Sequence, residues 1–93
     1  MIERQYALSS HVLLEREDGS DDVIVIDGRT GVICTTNLAA SLLLQDLKEG
    51  ACGASDLIGK LVARFRIPEE NAREDVRDFL AQLNAMDLMH VSA

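Results

Sequence analysis

The stretch that decides the fold is Asp22-Val23-Ile24-Val25-Ile26-Asp27-Gly28-Arg29-Thr30-Gly31-Val32-Ile33-Cys34-Thr35. β-Branched residues are dense on both sides of its centre, and such residues favour strands because branching at Cβ fits an extended backbone. Between them, Gly28 and Gly31 can adopt the positive φ angles that a tight turn requires. The stretch therefore predicts a β-hairpin.

A further β-capable segment precedes this hairpin. It reads His11-Val12-Leu13-Leu14-Glu15-Arg16, and the acidic stretch Glu17-Asp18-Gly19-Ser20-Asp21 that follows is typical of a turn. Three antiparallel strands are thus expected in the first third of the chain. Tyr6-Ala7-Leu8 is also apolar, which leaves open where the first strand begins.

The rest of the chain follows a helical period. Thr36 is placed to cap a first helix that ends at Gly50, and Ser55 is placed to cap a second. Pro68 suits the first turn of a third helix. The inner stripe of that helix comprises Ala72, Val76, Phe79, Leu80, Leu83 and Met86. We predict one α+β, winged-helix-like domain over residues 1–93, with a three-stranded antiparallel sheet followed by three helices in the order βββααα.

The composition limits the partners and the compartment. Sixteen Asp and Glu against nine Lys and Arg give a formal charge of −7, which repels phosphate and argues against nucleic acid. No apolar run is long enough to span a membrane, so we expect a cytoplasmic protein. Cys34 and Cys52 are too few for a secreted disulfide framework; reduced thiols are favoured, with a disulfide or metal pair as the alternative.

Side chains that could perform chemistry are scattered along the chain. Ser9, Ser10 and His11 are adjacent, but neighbours on an extended segment point to opposite faces and form no nucleophile and base pair. Four possible metal ligands lack the short spacings of zinc sites, namely His11, Cys34, Cys52 and His90. We therefore expect no enzyme, no metal and no cofactor.

Two other classes of small domain share parts of this pattern. Ser55-Asp56-Leu57 looks like the modified serine of an acyl-carrier protein, but that motif places aspartate before serine, and this chain has Ala54 there. A winged DNA-binding domain would need a basic third helix. Here acidic residues outnumber the two arginines, Arg73 and Arg77, so both classes are rejected.

Three segments in order carry a family resemblance. They are Val25-Ile26-Asp27-Gly28-Arg29-Thr30-Gly31, Thr36-Asn37-Leu38-Ala39 and Asp75-Val76-Arg77-Asp78-Phe79-Leu80-Ala81-Gln82-Leu83. Their order and spacing resemble the PqqD-like family, which is named for pyrroloquinoline quinone (PQQ) biosynthesis and also occurs in lasso-peptide and other modified-peptide pathways. The chain departs from the family pattern at Thr35-Thr36, where Leu-Asn is common, at Leu43, where an aromatic is common, and at Asp87, where glycine is common.

The resemblance implies a non-catalytic protein that binds the leader of a ribosomal precursor peptide and delivers it to a tailoring enzyme or leader protease. In that family the leader adds as an antiparallel strand between the third strand and the third helix. An open strand edge supplies backbone donors and acceptors for such a peptide. Carried over to this chain, the peptide-binding residues are Gly31, Val32, Ile33, Cys34, Thr35, Ala72, Asp75, Val76, Phe79, Gln82, Leu83 and Met86.

Several alternatives stay open at this point. The apolar members of the third helix are spaced as a core stripe, so only about two or three of them are expected to line both core and groove. Asp75, Asp78 and Gln82 are specificity candidates, with a solvated charged face as the plain alternative.

Lasso-peptide processing is favoured over quinone-cofactor biosynthesis. The other candidate function is a protein-interaction or regulatory domain that binds a partner enzyme without a leader. An exposed edge also permits a homodimer.

Overall fold

The computed structural model describes residues 3–16, 19 and 23–92, which form three helices and two three-stranded antiparallel sheets. The elements are β1 Gln5–Leu8, β2 Val12–Arg16, β3 Val23–Asp27, β4 Ile33–Thr35, α1 Leu38–Glu49, β5 Cys52–Gly53, α2 Ala54–Phe65, α3 Glu69–Ala85 and β6 Met89–Ser92. The predicted α+β class and the three helices are confirmed. The predicted acidic turn, apart from Gly19, lies outside the described residues.

The first sheet has the order β2-β3-β4 and contains the three strands that the sequence predicts. Val25 pairs with Leu14 on one side and with Cys34 on the other. Gly31 takes a φ of 77° in the turn between β3 and β4, where its N–H donates to the Asp27 carbonyl at 2.7 Å. The turn therefore needs the conformational freedom of glycine at this position.

The second sheet has the order β5-β1-β6 and was not predicted. Tyr6 pairs with Cys52 of β5 and with Val91 of β6, so the apolar segment around Tyr6 is a separate strand and not the start of β2. The expectation of a single three-stranded sheet was incomplete. Two of the missed strands are very short or rich in polar residues, and their pairing joins opposite ends of the chain, which a local pattern does not reveal.

The first helix begins one residue later than predicted. Asn37 is its N-cap, and the side-chain oxygen accepts a hydrogen bond from the Ala40 N–H at 2.8 Å. The Thr36 hydroxyl instead donates to the Val23 carbonyl at 2.8 Å, which ties the start of α1 to the first sheet. Gly50 ends the helix, as predicted.

The other two helices also begin within two residues of the predicted positions. Gly53 is the N-cap of α2, while Ser55 lies in its first turn and donates its hydroxyl proton to the Glu3 carboxylate at 2.8 Å. Pro68 is the N-cap of α3, immediately before the helix. The local pattern therefore locates each helix start to within a residue or two.

Aliphatic side chains from the first sheet and all three helices form one core. Its largest fully buried side chains are Val12, Leu43, Leu44, Leu57, Leu61 and Val76. Ser41 is buried among them, and its hydroxyl oxygen accepts a hydrogen bond from the Val23 N–H at 2.9 Å. None of the helices in the described part of the chain combines the length and apolar character that crossing a membrane requires.

Candidate functional site

Strand β4 forms an open edge of the first sheet, since no other described strand pairs with its outer side. The Asp27 N–H donates to the Val32 carbonyl at 2.9 Å. Hydrogen-bonded and non-bonded pairs alternate along an antiparallel ladder, so Cys34 exchanges its backbone hydrogen bonds with Val25. The N–H and C=O groups of Ile33 and Thr35 consequently point away from β3, toward the open edge.

A groove of about 260 Å³ lies between this hairpin and the end of α3. Its lining residues are Val25, Asp27, Arg29, Thr30, Val32, Cys34, Met86 and Leu88. The structure thus brings together Val32, Cys34 and Met86 from the predicted site. Val32 is 53% exposed and Met86 is 41% exposed, so both apolar side chains are accessible from the groove.

The other predicted residues of β4 lie beside the groove. Side chains alternate along a strand, so Ile33 and Thr35 point to the face opposite Val32 and Cys34. Ile33 is 63% exposed on that outer face. Gly31 belongs to the turn that leads into the edge. These residues can offer backbone groups, whereas Val32 and Cys34 offer side chains.

The predicted residues of α3 divide into two groups. Ala72, Val76 and Leu83 are buried in the core, and none of them lines the groove beside β4. Asp75, Phe79, Gln82 and Met86 follow the spacing i, i+4, i+7 and i+11, which places them along one side of the helix axis. Asp75 and Gln82 are exposed and Phe79 is half-buried, and none of these three residues lines the groove beside β4.

An ion-pair cluster that the sequence did not predict lies beside the groove, and two of its members, Asp27 and Arg29, line it. Arg29 donates from Nη2 to Asp27 Oδ2 at 3.2 Å and from Nη1 to Asp87 Oδ2 at 2.8 Å. The Asp27 carboxylate also accepts from the backbone N–H of Arg29 at 2.9 Å, and these hydrogen bonds hold the pKa of Asp27 below its ordinary value. His11 Nε2 lies 3.0 Å from the Asp87 carbonyl oxygen, within hydrogen-bonding distance.

A second and larger groove, of about 700 Å³, lies against the opposite side of α3. Its lining residues are Arg4, Tyr6, Ala54, Ile58, Glu70, Arg73, Glu74, Val76, Arg77, Leu80, Ala81, Asn84, Met89 and Val91. Here β6 is the open edge: Ser9 N–H donates to the Leu88 carbonyl at 2.9 Å, so Met89 and Val91 direct their backbone groups away from β1. The sequence did not reveal this groove because it did not reveal β6.

The two cysteines are separate free thiols. Cys34 lines the groove beside β4, whereas Cys52 lies in β5 of the other sheet. Burial, followed by the nearby Asp46 carboxylate, raises the pKa of the Cys52 thiol. Among the residues that the structure describes, no three His, Cys, Asp or Glu side chains are grouped closely enough to hold a metal ion.

Comparison with known proteins gives one family and two similar structures. The family model for coenzyme PQQ synthesis protein D (PqqD) matches residues 11–89. TbiB1 in complex with the TbiA(beta) leader peptide is 23% identical, with a TM-score of 0.82 over 94% of this chain and 98% of that one. Lasso peptide synthetase B1 complexed with the leader peptide is 20% identical, with a TM-score of 0.77 over 91% and 96%. These likenesses show a shared fold, and no curated protein matches the sequence.

Proposed function

The chain belongs to the PqqD family, and on that premise we propose that it binds the leader of a ribosomal precursor peptide and delivers it to a separate tailoring enzyme or leader protease. The observation that carries this proposal is the open edge of β4 beside an exposed apolar groove. Two proteins of the same fold are seen with leader peptides bound, and one of them is a lasso peptide synthetase B1. Lasso-peptide processing is therefore favoured over quinone-cofactor biosynthesis.

In the proposed complex the leader adds to β4 as an antiparallel strand. Ile33 and Thr35 supply its backbone partners, while alternate leader side chains enter the groove beside Val32, Cys34 and Met86. Sheet β2-β3-β4 then serves as the wing of a winged-helix-like arrangement, with α3 as the second wall. Alternation along the peptide gives specificity, because only every other side chain faces the groove.

The energies of the two kinds of contact indicate that leader affinity depends more on the groove than on the edge of β4. Two edge residues offer at most two N–H and two C=O groups, and each hydrogen bond contributes roughly 1 kcal/mol net. Their sum, about 4 kcal/mol, corresponds to millimolar binding even before the entropy of association is subtracted. Micromolar affinity therefore requires burial of apolar leader side chains against Val32 and Met86, at roughly 25 cal/mol per Å².

Charge around the groove favours a leader with basic or amide side chains. Asp75 and Gln82 are exposed on the side of α3 that leads to Met86. Asp78 lies close by on the helix, although its carboxylate is 3.6 Å from Arg77 Nε. We propose these three residues as specificity determinants that act mainly on partner choice and association rate, since exposed polar and charged groups add little to affinity.

The chain itself is proposed to perform no chemistry. His11 is the side chain best suited to proton transfer, but its Nε2 lies within hydrogen-bonding distance of the Asp87 carbonyl oxygen, at 3.0 Å, and 3.9 Å from Asp27 Oδ1. We propose that His11 stabilises the turn that contains Asp87.

Because ribosomal precursors are made in the cytoplasm, we place the protein there, as a monomer or a homodimer.

The two cysteines offer a direct test of the leader site. Purified protein is treated with N-ethylmaleimide, with and without a synthetic leader peptide taken from a short precursor reading frame found beside the gene, and labelling at each thiol is followed by mass spectrometry. The leader is expected to slow labelling of Cys34 and to leave Cys52 unchanged. A scrambled leader is the control. Equal labelling rates of Cys34 with and without the leader would contradict a leader site beside β4.

A second candidate function is a protein-interaction domain that holds a partner enzyme without a leader. The groove beside β6 favours it, because that groove is larger and has its own open edge at Met89 and Val91. Genomic neighbourhood discriminates between the two functions. An adjacent radical enzyme, protease or cyclase with a short precursor gene supports leader delivery, whereas an isolated gene supports the interaction domain.

A further inference from the structure

The turn between α3 and β6 contains an unusual backbone conformation. Asp87 has a φ of 57°, in the left-handed region that glycine adopts far more readily than residues with a side chain. Short polar residues tolerate this region best, and they persist there when surrounding contacts hold them. The contacts of Asp87 therefore indicate what its side chain contributes at this turn.

Those contacts join two turns that are distant in sequence. The Asp87 carboxylate accepts a hydrogen bond from Arg29 Nη1 at 2.8 Å, across a separation of 58 residues. The Asp87 carbonyl oxygen lies 3.4 Å from Arg29 Nη2 and 3.0 Å from His11 Nε2. The side chain and the backbone of Asp87 are thus both tied to the first sheet.

Arg29 is already oriented for this role by its own hairpin. Asp27, whose side chain is only 11% exposed, accepts from the Arg29 backbone N–H at 2.9 Å and from Nε at 3.3 Å. A guanidinium that is held in this way loses less side-chain freedom when it pairs with Asp87. The Arg29–Asp87 contact is therefore better ordered than an ordinary surface ion pair between two mobile side chains.

The two tied turns are the two walls at one end of the groove beside β4. Arg29, Thr30 and Val32 line it from the hairpin, and the neighbours of Asp87 in sequence, Met86 and Leu88, line it from the other side. We infer that Arg29 and Asp87 are positioning residues that hold these walls at a fixed spacing, so that the groove is formed before the leader arrives. This inference rests on the proposed function, and preorganisation of this kind improves binding by lowering its ordering cost.

The first test needs no leader. Asp87→Asn keeps the size of the side chain and tolerates the left-handed backbone but removes the charge, while Asp87→Gly removes the side chain and relieves the backbone. If the pair holds the walls together, N-ethylmaleimide will label Cys34 about two- to fivefold faster in both variants of the free protein. Cys52, in the other sheet, will keep its wild-type rate. Unchanged Cys34 rates in folded variants would overturn the inference.

The second test measures leader affinity. The synthetic leader peptide of the labelling assay, now carrying fluorescein, is titrated by fluorescence anisotropy at low salt and at 1 M NaCl. Both Asp87 variants are expected to bind about two- to fivefold more weakly at low salt, the range open to one exposed ion pair. Salt screens that pair, so the difference from wild type should disappear at 1 M NaCl.

A matched ion pair elsewhere provides the control. Lys60 Nζ lies 2.6 Å from Asp46 Oδ1, and neither residue lines the groove beside β4. Lys60→Gln should bind the leader as wild type does, at both salt concentrations. Wild-type affinity in the Asp87 variants at low salt would refute positioning while leaving leader binding intact. A wild-type protein that fails to bind the leader would instead refute the proposed function, and the Cys34 rates would still decide whether the pair holds the walls.

Discussion

Replacing Ile33 by proline removes one backbone donor from the open edge of β4 and leaves the sheet behind it nearly intact. The Ile33 N–H points away from β3, because the register pairs Ile33 with Ile26 at a non-hydrogen-bonded position. The Ile33 side chain is 63% exposed, so its loss removes little from the core. Proline is tolerated at edge positions whose N–H faces solvent, and the change therefore reports on the edge alone.

The expected loss follows from one missing hydrogen bond and its partner. A net hydrogen bond contributes roughly 0.5–1.5 kcal/mol, and a buried leader carbonyl left without a donor costs about 1–3 kcal/mol. Taken as about 1 to 3 kcal/mol in total, the loss corresponds to leader binding that is about 5-fold to 150-fold weaker. The free energy of unfolding should fall by less than about 1 kcal/mol, since no ladder hydrogen bond is removed.

The assay is anisotropy titration of the labelled leader peptide, with urea unfolding as the stability measurement. Ile33→Ala is the matched control, because it loses the side chain and keeps the N–H; it should bind within about twofold of wild type. Cys34→Pro is the opposite case: its N–H faces Val25, so it should reduce stability by about 1–3 kcal/mol. A folded Ile33→Pro protein with wild-type affinity would show that the leader does not pair with this edge.

Three further predictions concern the groove, the core and acid stability. Val32→Asp places a charge on a wall that is 53% exposed, so titration should show leader affinity reduced at least about tenfold with the urea midpoint nearly unchanged; an equal loss of stability would argue for a core role. Leu57→Ala empties a fully buried site and should lower the free energy of unfolding by about 2–5 kcal/mol in urea, and a loss below about 1 kcal/mol would contradict the core assignment. The hydrogen bonds from Arg29 lower the pKa of Asp27 from 3.8, so the stability that they contribute is present above that pH and is lost as the pH falls through the folded-state pKa. Asp27→Asn should therefore reduce the loss of unfolding free energy at acid pH, measured by urea unfolding over a pH series. An unchanged pH dependence would contradict a stabilising Asp27–Arg29 pair.

The first sheet and the edge could be predicted because their signals are local. The β-branched runs on either side of Gly28 and Gly31 specify a hairpin without reference to the rest of the chain. Strand β5 has only two residues and β6 pairs with β1 from the far end of the chain, so neither produces a local signal. Thr36 and Ser55, the predicted caps, do not cap their helices. The Thr36 hydroxyl donates to the Val23 carbonyl and the Ser55 hydroxyl donates to the Glu3 carboxylate.

Site residues could be predicted where they belong to one strand or helix, but contacts between two elements could not be predicted. The strand edge and Met86 follow from period and resemblance, and the structure places Val32, Cys34 and Met86 around one groove. Ala72 and Leu83 stay in the core, because a helical stripe alone does not distinguish a groove face from a core face. The Arg29–Asp87 pair spans 58 residues, and no spacing rule connects residues that meet only through folding.

The most direct test of leader binding at this groove is a titration of ¹⁵N-labelled protein with the unlabelled leader peptide, followed through its amide chemical shifts. We expect the largest changes in residues 31–35 and along residues 79–88, with Cys34 and Met86 among them and with the amides of α1 little affected. Large shifts confined to the groove beside β6, at Tyr6, Ile58 and Val91, would move the binding site to the other side of α3. An absence of shifts at saturating leader would contradict leader binding altogether.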